Sequence, residues 1–239
     1  MTTPSLREQL AAPGMVIAPG AYDGIGARLI EQAGFSAVYM TGAGTSAARG
    51  YPDFGLLDMG EMVANAAAMA HAINVPLIAD ADTGYGNELN VTRTVREYEL
   101  RGVAAIHIED QVAPKRCGHL DGKEVVSRDE FVSKIRAAVD ARQTKEFLII
   151  ARTDSRAMMS MDEAIWRGNA ALEAGADMVF VEATQTLEEV AAVPKNVRGP
   201  CLLNVVPGGR TPIFDLREAE AHEFVMGRFD PRIQVRSRW

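Results

Sequence analysis

The sequence predicts a single parallel (β/α)8 barrel of the TIM type. Short apolar runs recur along the 239 residues, and each precedes a longer segment with helical apolar spacing. We expect buried strands at 15–22, 37–42, 76–82, 104–110, 147–154, 178–183 and 200–205. Seven such units in succession, with no linker rich in Pro or Ser, favour a barrel over two half-domains.

Helices are expected between these strands. The predicted ranges are 23–34, 59–74, 90–101, 128–142, 161–174 and 186–193. Ser127 followed by Glu130 is typical of a capping box at the start of the fourth helix. The endings QAGFSAVYM, LRGVAAIHI and EAGADMVFV place a Gly after a helix, where a left-handed cap leads into the next strand.

Composition favours one soluble α/β domain over residues 1–239. Hydrophobic residues make up 47% and aromatic residues 6%, which is typical of helices packed closely on a sheet. A net charge of -7 disfavours a nucleic-acid partner, because neutralising phosphates requires a basic face. The chain has two cysteines outside metal-type spacings and no signal peptide, which favours a reducing cytoplasm. No apolar run approaches about eighteen residues, so no membrane span is expected.

Polar side chains end strand faces that are otherwise apolar. Because side chains alternate with a period of two, Ile78, Asp80 and Asp82 share a face. The corresponding sets on other strands end in Thr41, Glu109, Asp154, Glu182 and Asn204, and they also contain Tyr39, His107 and Arg152. Such groups converge at the carboxyl-terminal mouth of a parallel barrel, where barrel enzymes place their chemistry.

The acidic residues of this set indicate a metal site. Asp80, Asp82 and Glu109 offer hard oxygen donors on adjacent strands, which suit Mg²⁺ or Mn²⁺ and not zinc. Without a cation, two carboxylates facing one mouth would force one of them to take up a proton. The alternative is that these carboxylates cap helices or pair with Arg.

The segment KRCGH at 115–119 places a thiol among cations. Lys115, Arg116 and His119 would lower the pKa of Cys117 and enable it to exchange a proton near neutrality. A single Cys in a basic loop is not specific, so a catalytic and a non-catalytic Cys117 both remain open. Cys201, in an apolar strand, is expected to be an inert core residue.

Other polar positions have two interpretations each. In TGAGTSAARGYPDFG, at 41–55, the backbone of Thr41, Gly42 and Ala43 could bind an anion, or the segment could be a flexible loop. Tyr39 and His107 could act in the site or form hydrogen bonds in the core. Arg152 offers a fork for a carboxylate.

These motifs together resemble the isocitrate lyase/phosphoenolpyruvate mutase superfamily. PGAYD, GYPDFG, DADTGYG, HIEDQ, KRCGH and ARTD occur in family order between about residue 15 and about 216. KRCGH with the preceding IEDQ most resembles the 2-methylisocitrate and isocitrate lyases. The resemblance implies a homo-oligomeric barrel, tetrameric in the family, that binds Mg²⁺ and acts on a small di- or tricarboxylic acid.

The resemblance also implies a role for each matching residue. Asp80, Asp82 and Glu109 match the metal carboxylates, with Asp53 and His107 behind them. Tyr39, Thr41, Gly42 and Ala43 match the segment that holds the carboxylate of a 2-oxo acid, and Thr41 stands where methylisocitrate lyases usually have Ser. Gly118, Arg152, Glu182 and Asn204 match substrate contacts. Cys117 matches the proton donor, with Lys115, Arg116 and His119 around it and Tyr39 also in the catalytic set.

The predicted activity is a Mg²⁺-dependent retro-aldol cleavage of a 2-methylisocitrate-like substituted malate to a 2-oxo acid and a dicarboxylate. A divalent ion can polarise the substrate hydroxyl, and the carbanion that departs needs cations and a proton donor. The alternatives are an oxaloacetate decarboxylase, a phosphoenolpyruvate mutase-type enzyme, or an inactive barrel with a binding role.

Two segments depart from the family pattern. VVPGG follows Asn204 where methylisocitrate lyases carry a Thr-Glu-Phe-Gly-like stretch. Residues 217–239 form an atypical basic tail without a clear eighth strand, which predicts a truncated or frame-shifted end and a barrel incomplete at its C-terminus. Such a barrel would expose a strand edge and depend on association.

Overall fold

In the computed structural model the chain forms a closed barrel of eight parallel strands. The structure describes residues 3–118, 122–206 and 209–212, and the backbone of 226–229. The strands are β1 Val16–Ala21, β2 Val38–Met40, β3 Leu77–Asp80, β4 Ala105–Glu109, β5 Leu148–Thr153, β6 Met178–Val181, β7 Cys201–Val205 and β8 Met226–Phe229. Each strand pairs with its neighbours in chain order, and β8 pairs with β1. The predicted barrel class is confirmed.

The eighth strand corrects one expectation about the tail. Met226 pairs with Leu202 of β7 on one side and with Val16 of β1 on the other. The barrel therefore has no open strand edge among the described residues, and the expected absence of an eighth strand is wrong at 226–229. Residues 213–225 and 230–239 lie outside the described part, and so does most of the expected atypical tail.

Eight helices surround the described part of the barrel. They are α1 Leu6–Ala11, α2 Gly24–Gln32, α3 Gly42–Ala48, α4 Met59–Ala72, α5 Glu88–Leu100, α6 Arg128–Ala141, α7 Met161–Glu173 and α8 Leu187–Asn196, with a 3-10 turn at Ser155–Ala157. The six predicted helices are present, and the Ser127 side chain caps α6 by accepting from the Glu130 N–H at 3.2 Å. Among the described residues, no helix has the length and apolar character needed to cross a bilayer.

Two short helices were not predicted. Helix α1 begins with a capping box between Ser5 and Glu8, and this sequence signal was available. Helix α3 begins after Thr41, which caps it, because the Thr41 hydroxyl accepts from the Gly44 N–H at 2.8 Å. The interpretation of the 41–55 segment as a flexible loop is therefore wrong for residues 42–48.

Alternation along the strands divides the core into two layers. The barrel interior contains Tyr39, Ile78, Ile150 and Phe180, all fully buried, as the period of two predicts. The opposite faces of the strands pack against small residues of the helices, including Ala66 of α4, Ala138 of α6 and Ala171 of α7. Interior apolar layers support the polar residues that follow them at the carboxyl ends of the strands.

Candidate active site

The predicted site residues converge at the carboxyl end of the barrel. Tyr39, Asp80, His107, Glu109, Arg152, Glu182 and Asn204 lie on or directly after β2 to β7, and all are buried. Strand register brings them side by side, since Asp80 pairs with His107 and Glu109 pairs with Arg152. The convergence that the strand pattern predicts is present in the structure.

Asp80 is held as a carboxylate. Its Oδ1 accepts from the Asp82 N–H at 2.9 Å, and its Oδ2 accepts from the Gly42 N–H at 3.1 Å. Burial favours the neutral acid, but His107 and Lys115 outweigh burial and hold the pKa of Asp80 well below its usual range. Gly42 has no room for a side chain, because a Cβ there would collide with this carboxylate.

Asp82 and Glu109 are less well compensated. Burial raises the pKa of Asp82 to about 6, against the attraction of Lys115. Burial also raises the pKa of Glu109 well above its usual range, against the attraction of Arg152. Among the described residues, Asp82 Oδ1 and both Glu109 carboxylate oxygens are buried without a hydrogen-bond partner of good geometry. Such oxygens are costly unless a cation satisfies them.

Charge balance at the mouth favours an additional cation. Six acidic side chains face it, namely Asp53, Asp80, Asp82, Glu109, Asp154 and Glu182. The buried permanent cations among the described residues here are Lys115, Lys123 and Arg152. A divalent ion would compensate the remaining negative charge and would bind the Asp82 and Glu109 oxygens that lack a well-aligned hydrogen bond within the described part of the chain.

The carboxylates do not form a closed ligand cage. Within the described ranges, no three His, Cys, Asp or Glu side chains approach closely enough to complete a metal site by themselves. Mg²⁺ commonly takes one or two protein carboxylates and keeps several waters, so the residues fit a partly hydrated Mg²⁺ and disfavour a zinc-type site. The assignment of Asp80, Asp82 and Glu109 to one ion stays a prediction.

Lys115 lies at the acidic cluster. Its Nζ lies 2.5 Å from Asp53 Oδ1 and 2.8 Å from Asp82 Oδ1. Burial lowers the pKa of Lys115, but the carboxylates of Asp53 and Asp82 outweigh it and hold the pKa well above its usual value. The structure therefore places this ammonium with the acidic residues, whereas the sequence predicted a cation acting around Cys117.

The arginine at the end of β5 is already held by acidic neighbours. Arg152 Nε lies 2.9 Å from Asp154 Oδ2 and 3.2 Å from Glu109 Oε2, and Nη2 lies 3.7 Å from Glu182 Oε2. Its guanidinium carbon is 5.2 Å from the centre of the Phe180 ring. These contacts fix the plane of the guanidinium group, which is the precondition for a fork that binds a carboxylate.

The segment that carries Cys117 is anchored at both ends. The Cys117 N–H donates to the Asp53 carbonyl at 3.0 Å. Gln111 and Arg116 exchange two hydrogen bonds of 2.8 and 2.9 Å, and Gln111 bridges to Val125 across an antiparallel pair. Cys117 is half-buried, the Arg116 side chain is exposed, and His119 lies outside the described residues.

Two further groups complete the mouth. The Tyr39 hydroxyl is hydrogen bonded to His107 Nδ1, and His107 Nε2 lies 3.0 Å from Asp80 Oδ1. On the other side, Asn204 Nδ2 donates to Glu182 Oε2 at 3.2 Å, while the buried Asn204 Oδ1 has no hydrogen-bond partner among the described residues.

The two cysteines differ in environment. Cys201 is 1% exposed in β7, and burial raises the pKa of its thiol to about 12. An inert thiol at this position is what the apolar strand predicts. Cys117 lies in the polar loop over the mouth.

Sequence analysis missed Asp110 and Lys123 as members of the polar network around this site, and it placed Asp154 at the mouth without giving it a role. Asp110 Oδ1 accepts from the Asp154 N–H at 2.8 Å, and Lys123 Nζ donates to Asp154 Oδ1 at 3.1 Å. Asp110 and Asp154 stand within the motifs HIEDQ and ARTD, which was an available signal. Lys123 had none, because a Lys after Gly in a loop is ordinarily exposed.

Fold and site together define a class of protein, a (β/α)8 barrel with a buried acidic cluster and a thiol-bearing loop at its catalytic end. Residues 6–237 match the family described as phosphoenolpyruvate phosphomutase. The chain belongs to this family, within the phosphoenolpyruvate mutase/isocitrate lyase superfamily.

Curated relatives include two named lyases. The chain is 53% identical over 221 residues to a 2,3-dimethylmalate lyase of Eubacterium barkeri, covering 92% of this chain and 76% of the relative. It is 44% identical over 207 residues to a 2-methylisocitrate lyase of Aeropyrum pernix, covering 87% of this chain and 67% of the relative.

Solved structures agree with this assignment. An oxaloacetate acetylhydrolase bound to 3,3-difluorooxalacetate superposes with a TM-score of 0.92 at 42% identity, covering 95% of this chain and 79% of that chain. A phosphonopyruvate hydrolase bound to oxalate and Mg²⁺ superposes with a TM-score of 0.83 at 34% identity, covering 93% and 78%.

Proposed function

We propose that the protein is a Mg²⁺-dependent carbon-carbon lyase that cleaves a 2-methylisocitrate-like substituted malate by retro-aldol chemistry. The products would be a 2-oxo acid and a dicarboxylate, or a monocarboxylate if the substrate is 2,3-dimethylmalate. The observation that carries the proposal is the set of buried Asp82 and Glu109 oxygens that lack a well-aligned hydrogen bond from any described residue, beside the loop that bears Cys117. Similarity to the two named lyases supports it.

Asp80, Asp82 and Glu109 would hold the ion, with waters and substrate completing its coordination. When bound, Mg²⁺ supplies a Lewis acid for the hydroxyl and carboxylate of the substrate, and Mn²⁺ could replace it. Lys115 would keep Asp53 and Asp82 in place, since its ammonium lies between them. Tyr39 and His107 would orient Asp80 through their hydrogen-bonded chain.

Residues on opposite sides of the mouth would orient the substrate. The backbone of Thr41, Gly42 and Ala43 would hold the carboxylate of the 2-oxo acid half at the start of α3. Arg152 would bind the second carboxylate through its fixed guanidinium plane. The buried Asn204 Oδ1 offers an acceptor, and Glu182 and Gly118 would line the remaining wall.

Cleavage requires one proton to leave the substrate and one to arrive. The C2 hydroxyl loses its proton, the C2–C3 bond breaks, and its electron pair remains on C3. The Cys117 thiol would donate its proton to C3, the hydroxyl proton would pass to solvent, and the Cys117 thiolate would regain a proton from solvent, so no redox partner is needed. Arg116 and His119 remain the proposed cations near the thiol.

A substrate panel tests the proposal. Purified protein is incubated with 2-methylisocitrate, 2,3-dimethylmalate, isocitrate or oxaloacetate, with Mg²⁺ or with EDTA, and 2-oxo acid release is followed with dinitrophenylhydrazine. We expect Mg²⁺-dependent release from at least one substituted malate. Turnover of oxaloacetate alone would favour the decarboxylating alternative, and metal binding without any turnover would favour the inactive barrel.

The proposal includes assembly and location. The resemblance to the family supports a homo-oligomer, tetrameric as in the family. The two free cysteines support a location in the reducing cytoplasm. Light scattering on the purified protein measures the oligomer number, and a monomer at working concentration would contradict this part.

A further inference from the structure

Lys123 is a buried cation that the proposed chemistry does not use. It stands between Cys117 and the start of α6 in the chain, and its side chain is only 1% exposed. A buried ammonium must be paired and hydrogen bonded, because leaving water is costly for a charge. Its Nζ donates to the Gly118 carbonyl and, at 3.1 Å, to Asp154 Oδ1.

Asp154 connects this lysine to the barrel. Its two carboxylate oxygens accept from Arg152 Nε at 2.9 Å and from Arg152 Nη2 at 3.2 Å. Its own N–H donates to Asp110 Oδ1 at 2.8 Å. A single carboxylate therefore orients the guanidinium group of β5 and holds the ammonium of the loop.

Gly118 is the point where the loop meets the mouth. A Cβ at this position would come within 2.5 Å of Arg152 Nη2 and 2.7 Å of Glu182 Cγ. The backbone thus packs directly against two of the proposed substrate contacts, with no space for a side chain. The carbonyl of the same residue is the one that Lys123 binds, and Cys117 immediately precedes it.

We propose that Lys123 is a positioning residue for the Cys117 loop. Its ammonium, anchored on Asp154, fixes the Gly118 carbonyl and so holds the backbone after Cys117 against Arg152 and Glu182. Its effect on turnover rests on the proposed lyase function, whereas its effect on the placement of the thiol does not. A lysine that only stabilised the fold would change neither thiol access nor the division between kcat and KM.

The test removes the ammonium and measures the thiol directly. In a Cys201→Ala background Cys117 is the single cysteine, and its alkylation by iodoacetamide is timed by mass spectrometry. Without the ammonium, we expect Lys123→Met to raise the alkylation rate about tenfold, because the loop opens locally more often. Lys134→Met is the matched control, since Lys134 is also a buried lysine but pairs with Glu130 on α6.

Turnover provides the second measurement. We expect Lys123→Met to lower kcat roughly tenfold to 100-fold with a smaller change in KM, because a misplaced proton donor slows chemistry more than binding. Lys123→Arg should recover most of the rate, and Lys134→Met should match the parent. If the parent turns over no substrate, the lyase function fails while the alkylation rates still decide the role of Lys123.

Two results would overturn the proposal. One is a folded Lys123→Met protein whose alkylation rate equals that of Lys134→Met. The other is reductive methylation of Lys123 in the wild-type protein as fast as that of the exposed Lys145. If Lys123→Met does not fold, Lys123→Gln, a shorter side chain that keeps an N–H donor without the charge, undergoes the same alkylation measurement. A faster alkylation than in Lys134→Met supports the proposal, and an equal rate overturns it.

Discussion

The two ends of the barrel are built on different principles. At the amino-terminal end, α1 places Leu6 in the interior apolar cluster. Asp177 there accepts from Arg7 Nη2 at 2.8 Å, from Arg142 Nη1 at 2.5 Å and from the Ile149 N–H at 2.9 Å. This end combines apolar burial with an acidic group that has several donors.

The carboxyl-terminal end has the opposite character. Among the described residues, Glu109 and Asp82 are buried with oxygens that lack a well-aligned hydrogen bond, although Lys115 and Arg152 lie beside them. Asp82 and Ala183 follow β3 and β6 with φ angles of 47° and 59°, a left-handed conformation that is costly for residues other than glycine. The comparison indicates that one end stabilises the fold, whereas the other keeps buried carboxylates with incomplete hydrogen bonding and strained backbone.

Removing the Cys117 thiol should lower turnover at the carboxyl-terminal end of the barrel without changing the stability of the fold. We expect Cys117→Ser to lower kcat roughly 10²- to 10⁴-fold, because a serine hydroxyl is a much weaker acid than a thiol. Mg²⁺ binding, measured by calorimetry, should be unchanged. The matched control is Cys201→Ala, which changes the buried thiol of β7 and should retain the parent kcat.

An unchanged rate for Cys117→Ser would remove the thiol from the mechanism. Loss of Mg²⁺ binding in the same variant would mean that the acidic cluster depends on the thiol itself and not only on the contacts of Lys115 and the Cys117 N–H with Asp53.

Truncating Leu6, which α1 places in the interior apolar cluster, should destabilise the amino-terminal end of the barrel. We expect Leu6→Ala to lower the free energy of unfolding in urea by roughly 2–4 kcal/mol, because it leaves a cavity in the interior cluster. The kcat of the folded protein should not change. Leu100→Ala, at a position 76% exposed, should shift the unfolding free energy by less than about 0.5 kcal/mol.

A fall in kcat for Leu6→Ala without a fall in stability would contradict the division of roles between the two ends.

The fold was largely predictable because its signals are local. Alternation in β3 and β4 placed Asp80 and Glu109 on the interior face, and the structure agrees. The eighth strand was not predictable in the same way, since Met226–Phe229 contains Gly and Arg and lacks an apolar run. Pairing with both neighbours in a closed barrel specifies it, and this is a tertiary effect.

The candidate site was predictable in membership but not in its contacts. Lys115 is adjacent to Cys117 in the chain, so sequence proximity suggested a shared role. The chain instead turns Lys115 back toward Asp53, which is 62 residues away. The buried Lys123 escaped prediction for the same reason, because its partner Asp154 is 31 residues distant.

Neutralising Glu109, a buried carboxylate without a well-aligned hydrogen bond from the described residues, sharpens the comparison between the two ends of the barrel. We expect Glu109→Gln to raise the free energy of unfolding of the EDTA-treated protein by about 1 kcal/mol, since burial disfavours the charge that is removed. With Mg²⁺ the order should reverse, because ligand binding stabilises only a native state that retains the site. Thermal denaturation with and without Mg²⁺ measures both effects.

The control for this variant is Glu173→Gln, which removes an acidic group from an exposed pair with Arg198 and should leave the Mg²⁺-induced shift intact. Equal stabilisation of Glu109→Gln and the parent by Mg²⁺ would exclude Glu109 as a ligand.

The smallest expected effect concerns Glu163 in helix α7, in the helical layer outside the barrel. Hydrogen bonds from Arg128 act against burial, and together with Arg167 they lower the pKa of Glu163 from 4.5 to about 2. A lowered pKa in the folded state means that Glu163 stabilises the protein above pH 4.5, and that this stabilisation is lost as the pH falls toward 2. We therefore expect the melting temperature of the parent to exceed that of Glu163→Gln at pH 7. This difference in melting temperature should shrink between pH 4.5 and 3.

Melting curves at pH 7, 4.5 and 3 test this dependence, with Glu173→Gln again as the control, because an exposed ion pair contributes little at any pH. A difference between the parent and Glu163→Gln that stayed constant across this range would show that the side chain contributes through packing and not through charge. Glu163 would then differ from Asp177 at the amino-terminal end, which holds Arg7 and Arg142 by charge-assisted hydrogen bonds.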